Sequence, residues 1–374
     1  MTLARAVQVY GLCRPCVERH GGRAGDSPPV GGADCFICEG LMDRTSQITK
    51  EVARRIKRYQ FDSLAVGVSM PEGVQDREDE LRANLKLKGS ETIKTHAARL
   101  IAESVASKLG KRVDKTRPDL TVVVDMGSGV VTVSSKALFL YGWYTKPPGV
   151  SQKRELCGYC SGQGCEKCRA TGYNQGPSVE GQLRIKLAKV SGSDRMKFTW
   201  MGNEDRESRV YPPGRPFVVE LKSPVKRQVP MEFRVRSKEG PVSVSKGKML
   251  PSRPIGLPAF RFKTEITAIA AKEVEAENLA EACRRFKRAV VRFDRPHERP
   301  VQKMVYGVQM KKRGKTLLIN AELDGGLPVK RFVSGELVSP SVSEILKTEV
   351  RCRKFDIREV KEMGKLEFGK VTRL

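Results

Sequence analysis

Apolar and polar residues recur along the first half of the chain with spacings that predict two helices and a hairpin. Residues 45–60 and 91–110 carry apolar positions at helical spacing, and the second segment opens near Ser90. Residues 120–125 are rich in β-branched side chains and are predicted to form a strand. After a glycine turn, residues 130–133 are expected to return as its hairpin partner.

From residue 177 onward, the pattern mixes strands and helices without the regular spacing of strand–helix–strand units. Helices are expected at 273–288 and 341–348. The predicted strands are 196–200, 216–221, 231–236, 258–270, 301–310, 315–320, 351–359 and 366–373. This arrangement favours an α+β fold with a mostly antiparallel, mixed sheet flanked by helices.

Charge changes the picture, because the chain of 374 residues has a formal net charge of +27. Residues 1–150 contribute +6 and residues 151–374 contribute +21. Such an excess favours a polyanionic partner, and nucleic acid is favoured over a membrane. A generally charged surface, adapted to salt or heat, is the alternative. No apolar run is long enough to cross a membrane and no secretion signal is evident, so we expect a cytoplasmic location and no membrane partner.

Eight of the ten cysteines form four Cys-x-x-Cys pairs. Without a secretion signal, metal-bound thiolates are a better explanation than disulfides. The first two pairs, separated by 18 residues, predict a structural zinc site, because four thiolates leave no open position for catalysis. Its ligands would be Cys13, Cys16, Cys35 and Cys38.

The other two pairs form a compact, glycine-rich cluster. Its predicted zinc ligands are Cys157, Cys160, Cys165 and Cys168. An iron–sulfur cluster is the alternative, although symmetric paired knuckles favour zinc. The same segment also permits interpretation as a chaperone-like knuckle that binds peptides.

Two charged residues are candidates for chemistry. Asp205 lies among arginines ahead of a glycine-bounded turn, where it would act as a nucleophile or base held ionised by cationic neighbours. Lys330 follows a double glycine on a predicted short strand and could pair with Asp205 across a sheet. A surface turn and a surface lysine are the alternatives. The aromatic run at 138–144 either stacks on bases or belongs to the core.

Other enzyme classes are poorly supported. Only three histidines occur, and none lies in a nucleophile motif. His297 lies in an arginine-rich stretch that suits phosphate contact better than proton transfer. No phosphate-binding loop or dinucleotide fingerprint is present, so we expect no organic cofactor.

The order of these motifs resembles the family-ten tRNA pseudouridine synthases over nearly the whole chain. Residues 35–43 resemble that family's zinc module, and 118–125 with 138–144 resemble its THUMP-containing RNA-binding domain. The second cysteine cluster, followed by 177–180, matches its archaeal members. The segments that resemble its catalytic motifs are 202–209, 214–220, 326–330, 334–335 and 340–346.

The resemblance implies isomerisation of uridine to pseudouridine in the T-arm loop of tRNA, at standard positions 54 and 55. Asp205 would be the catalytic residue and Lys330 its basic partner. The implied substrate and RNA contacts are Arg209, Gly214, Arg215, Tyr306 and Arg331. It also implies structural zinc and tRNA as partner. The predicted domains are a zinc module at 1–45, a THUMP-like domain at 46–152, a zinc-knuckle joint at 153–176 and a catalytic domain at 177–374. We expect the chain to be a monomer.

Three positions depart from the family pattern. Asn203 replaces an arginine, and Pro328 replaces an aromatic residue. No tyrosine occurs between residues 251 and 300, where the family has its active-site tyrosine, and Ile266 aligns loosely with it. Tyr306 or Tyr211 could substitute. A catalytically weak or silent tRNA-binding or tRNA-folding protein is therefore the alternative function.

Overall fold

A computed structural model describes residues 3–21, 30–86, 89–294 and 299–368. The chain divides into two compact units, Met1–Ala137 with Lys222–Arg227 and Leu138–Leu221 with Gln228–Leu374. Both mix helices and strands, which confirms the predicted α+β class. The four-domain division stays a prediction. His297 and the end of the predicted strand 366–373 lie outside the described residues.

The first unit contains a four-stranded sheet with the order β2-β1-β3-β4. Its elements are α1 Leu3–Tyr10, α2 Arg14–Arg19, α3 Thr45–Ile56, β1 Ser63–Ser69, α4 Val74–Leu85, α5 Ile93–Leu109, β2 Arg112–Val113, β3 Leu120–Asp125 and β4 Val131–Ser135. Strands β1 and β3 run parallel, and β3 and β4 form the predicted antiparallel hairpin.

Helix α5 shows why the helical prediction succeeds. The Thr92 side chain accepts a hydrogen bond from the Thr95 amide at its start, and Gly110 adopts a left-handed conformation at its end. Ile93, Ala97 and Ile101 recur every four residues and are wholly buried. The cap is Thr92 rather than the expected Ser90.

The second unit is built on an eleven-stranded sheet. Ten strands follow the order β15-β12-β13-β14-β11-β16-β7-β5-β9-β8, and the eleventh, β6, pairs with β7. Its elements are β5 Leu138–Lys146, α6 Val179–Ser191, β6 Arg195–Trp200, β7 Val210–Lys222, β8 Phe233–Val235, β9 Val242–Leu250, β10 Pro254–Gly256, β11 Phe260–Ala270, α7 Ala276–Arg285, β12 Ala289–Phe293, β13 Val301–Arg313, β14 Thr316–Asp324, α8 Val329–Ser334, β15 Val338–Ser339, α9 Val342–Ile345, β16 Val350–Glu362 and β17 Glu367–Phe368.

Strand β11 pairs antiparallel with both β14 and β16, and β16 lies parallel to β7 at Ile357 and Val210. The predicted mostly antiparallel mixed sheet is therefore confirmed. Tyr141, Trp143 and Tyr144 of β5 are all buried, so the aromatic run belongs to the core and does not form a base-stacking platform.

The prediction that Lys330 lies on a short strand is wrong. Lys330 is the second residue of α8, which follows Pro328 at its N-cap. Val329, Phe332 and Val333 have the spacing of one helical face and are buried. Burial of that face leaves Lys330 at the surface. Among the described helices, none has both the length and the apolar character needed to span a membrane.

Candidate active site

A buried ion pair supports the loop that carries Asp205. The Glu204 carboxylate lies 3.0 Å from Nη1 of Arg215, and the two side chains are 0% and 2% exposed. Arg215 also donates to the backbone oxygens of Met201, at 2.8 Å, and Asn203, at 3.3 Å. One guanidinium therefore fixes three of the four residues, 201, 203 and 204, that precede Asp205.

Two residues from an earlier part of the chain, Tyr144 and Gln152, complete this network. Nε2 of Gln152 donates to the Gly202 carbonyl at 3.1 Å and to Glu204 Oε2 at 3.1 Å. It also lies 2.7 Å from the Tyr144 hydroxyl, which itself donates to Glu204. Burial raises the pKa of Tyr144 well above its ordinary value, so the phenol stays protonated and donates.

Lys146 fixes residues 205–208 of the same loop. Its ammonium donates to the backbone oxygens of Asp205 at 3.0 Å and Arg206 at 3.2 Å, and also to that of Ser208. Burial lowers the pKa of Lys146 to about 8. The loop is thus held by a buried cation whose charge is lost in mildly alkaline solution.

The Asp205 side chain itself points away from this network. Its Oδ2 lies 2.8 Å from Nζ of Lys330, with the two side chains 36% and 56% exposed. The hydrogen bond to Asp205 raises the pKa of Lys330, which therefore remains charged. Cys352 lies near this pair, and burial raises the pKa of its thiol to about 11, so the thiol is protonated near neutral pH.

The loops that carry Asp205 and Lys330 meet at the ring of Phe260. A Cβ on Gly325 would lie 2.5 Å from the Phe260 ring, and one on Gly202 would lie 3.2 Å from it. Both turns therefore press against one aromatic ring, and neither has room for a side chain there. One turn leads to Asp205 and the other to Lys330.

Tyr306 braces the second loop from its start. Its hydroxyl donates to Oδ1 of Asp324 at 2.9 Å, while Oδ2 of Asp324 accepts from the Met304 amide at 2.8 Å. Asp324 ends β14 and immediately precedes the turn to Lys330. This position suits a supporting role for Tyr306.

Two of the predicted RNA contacts lie at the surface. Arg209 is exposed, with its guanidinium carbon 5.5 Å from the centre of the Tyr211 ring. Arg331 follows Lys330 on α8, and its Nη2 lies 3.7 Å from the carboxylate of Glu336. Both arginines stay candidates for contact with a phosphate.

Gly214 and Arg215 do not lie at the surface, where a residue that contacts RNA would be found. Both are buried, and a Cβ on Gly214 would lie 2.7 Å from the backbone oxygen of Tyr144. Arg215 makes its contacts with the turn beneath Asp205. The family resemblance implied RNA contact for both residues, whereas close approach of the backbone at Gly214 and the charge of Glu204 beside Arg215 bring both inside. We therefore propose a positioning role for these two residues in place of RNA contact.

The structure shows the contacts of two positions that depart from the family pattern and of one tyrosine that could substitute for the family's tyrosine. Ile266 is wholly buried in the core, and Asn203 contributes its backbone oxygen to Arg215. Tyr211 lies on β7 with the Arg358 guanidinium 3.9 Å from its ring centre.

Sequence reasoning missed three residues of the network: Glu204, Lys146 and Gln152. The burial of Lys146 could have been predicted from the sequence. Lys146 ends a nine-residue strand of mostly apolar side chains, where a lysine is rarely found unless its ammonium has hydrogen-bond partners. Glu204 and Gln152 carried no such signal, since an acid and an amide in turns are ordinary surface residues.

The eight predicted metal ligands form two groups of four, each with its sulfur atoms within 4.8 Å of one another. In the second group, the sulfur atoms of Cys157 and Cys165 lie 3.9 Å apart, and those of Cys160 and Cys168 lie 3.8 Å apart. A tetrahedral zinc site with Zn–S bonds of about 2.3 Å requires sulfur separations of about 3.8 Å. The donor sets therefore fit a metal ion.

Comparison with known proteins identifies the family. A model of the archaeal Pus10 THUMP domain matches residues 48–125, and a model of the Pus10 C-terminal region matches residues 139–361. The chain belongs to the Pus10 family. The predicted family and its THUMP domain are thereby confirmed, as is the expectation of an isomerase, because the curated Pus10 proteins that match are named tRNA pseudouridine synthases.

Two archaeal Pus10 proteins match most of the chain. The tRNA pseudouridine synthase Pus10 of Nitrosopumilus maritimus (strain SCM1) is 31% identical over 87% of this chain and 85% of its own length. That of Cenarchaeum symbiosum (strain A) is 30% identical over 94% of this chain and 90% of its own length. A solved structure described as "Crystal Structure of a Cbf5-Nop10-Gar1 Complex" aligns at 10% identity over 48% of this chain and 44% of that chain, with a TM-score of 0.30, which is too low to support an argument.

Proposed function

We propose that this chain isomerises uridine to pseudouridine in the T-arm loop of tRNA, at position 54, 55 or both, with Asp205 as the catalytic residue. The Asp205–Lys330 ion pair carries the proposal. A carboxylate and an ammonium from distant parts of the chain meet at 2.8 Å, partly open to solvent, on loops fixed from within. Membership of the Pus10 family supplies the reaction class.

The reaction breaks the bond between C1′ and N1 of the nucleoside and forms one between C1′ and C5. N1 gains a proton and C5 loses one, so neither an oxidant nor a reductant is required. The target base must first leave the stack, at a cost of a few kcal/mol that phosphate contacts offset. Asp205 would then act on the nucleoside, by attack at C1′ or by removal of a ribose proton, while Lys330 orients its carboxylate.

The test is Asp205→Asn in the full chain, with unmodified tRNA as substrate. We expect release of tritium from tRNA labelled at uridine C5 to stop, while the Kd for tRNA stays within about twofold. Glu207→Gln is the matched control, because Glu207 is an exposed acid two residues away in the same loop. Full activity of Asp205→Asn would remove this aspartate from the mechanism. Mapping of the product to the T-arm loop tests the site.

A silent tRNA-binding or tRNA-folding protein is the second candidate, and one observation favours it. The position that aligns with the family's tyrosine holds Ile266, which is wholly buried and offers no hydroxyl. Wild-type protein that binds tRNA but releases no tritium at any enzyme concentration would support this alternative. Under the first proposal, Tyr211 would supply the missing ring, because the Tyr306 hydroxyl is bonded to Asp324.

We further propose that each cysteine group holds a structural Zn²⁺. Four thiolates suit zinc by charge and softness, and they leave no coordination position for a substrate. The amides of Gly164, Cys165 and Gly172 lie 3.1–3.3 Å from cysteine sulfur atoms of the second group, where they stabilise thiolates. The cytoplasmic location and the monomeric state stay predictions.

A further inference from the structure

Tyr159 has an exceptional environment. It is 74% exposed, whereas every other aromatic residue in the described part of the chain is buried or half-buried. Leu156, three residues earlier, is 58% exposed. A solvent-exposed aromatic ring offers a large apolar surface to a ligand, and its rigid side chain loses little conformational entropy on binding.

A rigid support carries this ring. The segment 156–173, here named the knuckle, is closed by a bridge between Leu156 and Tyr173 and by the Cys157 amide, which donates to the Gly172 carbonyl at 2.9 Å. A Cβ on Gly172 would lie 2.4 Å from the backbone oxygen of Gly162, so the end of the segment packs directly against its middle. The second cysteine group lies inside this loop.

Cations accompany the aromatic rings of the knuckle. Nζ of Lys167 lies 3.6 Å from the centre of the Tyr159 ring, and the Arg154 guanidinium lies 3.7 Å from that of Tyr173. Arg169, which follows Cys168, is also exposed. The Lys167 ammonium covers one face of the Tyr159 ring, so a nucleobase would stack on the opposite face while the ammonium attracts its phosphate.

We propose that the knuckle is an RNA-binding site, where an unpaired nucleobase stacks on Tyr159 and its phosphate lies near Lys167. The net charge of +21 over residues 151–374 favours RNA over a peptide as the occupant. The proposal rests on tRNA as the substrate of the chain, but not on the catalytic role of Asp205. The recognised feature is a single-stranded nucleotide, since a base within a duplex presents no free face.

The experiment measures binding by the full, metal-loaded chain to three probes: a T-arm stem–loop RNA, a blunt duplex RNA of equal length and an unfolded polypeptide. For the stem–loop, we expect Tyr159→Ala to raise the Kd about tenfold and Tyr159→Trp to keep it near the wild-type value. Lys167→Gln is expected to reduce the salt dependence of binding by about one phosphate contact. Ile185→Ala is the control, because Ile185 is 75% exposed on α6, outside the knuckle.

The outcomes separate this inference from the proposed function. The duplex should bind Tyr159→Ala and wild type alike, and saturating tRNA should restore the wild-type kcat of Tyr159→Ala. If Tyr159→Ala binds the stem–loop as tightly as wild type, the knuckle inference is wrong, whatever Asp205→Asn does. If the substitution abolishes polypeptide binding and leaves RNA binding intact, the knuckle is instead a peptide site. Metal content, measured for each variant, verifies that the knuckle has formed.

Discussion

Glu204 and Asp205 are adjacent carboxylates that face opposite environments. Glu204 is fully buried against Arg215, whereas Asp205 is 36% exposed and contacts Lys330. The first carboxylate anchors the loop and the second is available to a substrate.

Glu204→Gln should destabilise the protein, because it leaves the charge of Arg215 buried without a counter-ion. We expect a loss of about 3–5 kcal/mol in the free energy of unfolding, measured by urea denaturation. The kcat should fall in protein that remains folded, since the turn before Asp205 loses a fixed contact. Glu207→Gln is the control, and an unchanged stability of Glu204→Gln would show that the buried pair does not support the loop.

Lys330→Met should lower kcat by about a hundredfold, because Asp205 loses the group that orients it. Lys330→Arg keeps the charge and should recover part of this activity. The pair is substantially exposed, so Lys330→Met should leave thermal stability nearly unchanged. Single-turnover rates and melting temperatures measure the two effects. Equal rates for wild type and Lys330→Met would exclude Lys330 from the site.

Activity should fall as the pH rises through about 8, where buried Lys146 loses its proton and with it the charge that fixes the Asp205 loop. The contribution of Lys146 to the free energy of unfolding changes in the opposite direction and increases over this pH range. Between about 8 and the ordinary lysine value of 10.5, the unfolded chain binds more protons than the folded chain, so this group makes unfolding less favourable as pH rises. Lost activity in that window would therefore not reflect unfolding through Lys146.

The pH prediction is checked by single-turnover rates from pH 6.5 to 9.5. Lys146→Arg, which cannot lose its charge in this range, should remove the alkaline fall. Lys153→Arg, at an exposed lysine of the same segment, should leave the profile unchanged. A profile of Lys146→Arg that matches wild type would assign the fall to another group.

Gly325→Ala should reduce both stability and kcat, because the added methyl group would lie 2.5 Å from the Phe260 ring. We expect a loss of about 1–3 kcal/mol by thermal unfolding. Phe260→Leu combined with Gly325→Ala should recover part of the loss. Gly307→Ala is the control, since a Cβ there meets no other atom within 4 Å.

Removal of metal should destabilise the protein. Cys160→Ser is expected to lower zinc content from two ions to one per chain and to reduce the melting temperature. Cys283→Ser removes a half-buried cysteine outside both groups and should change neither. If Cys160→Ser retains two zinc ions, the ligand assignment in the knuckle is wrong.

Local patterns predicted much of the secondary structure. The strand at 120–125 matches β3, because a run of β-branched residues and a glycine turn are local signals. Strand β7 begins at Val210 rather than 216, since its first residues pair with β5 and β16 from remote parts of the chain. Helix α6 escaped prediction, although Ser178 caps it and Gly192 ends it.

The sequence by itself determined the two cysteine groups, the α+β class and the candidates Asp205 and Lys330, because residue type and spacing encode metal ligands, element periods and motif order. Only the tertiary structure decided which carboxylate is buried, that Lys330 lies on a helix, and that both turns pack against Phe260. These features depend on contacts between residues far apart in the chain. Local propensity carries no information about such contacts, because burial and pairing of charges are properties of the packed unit.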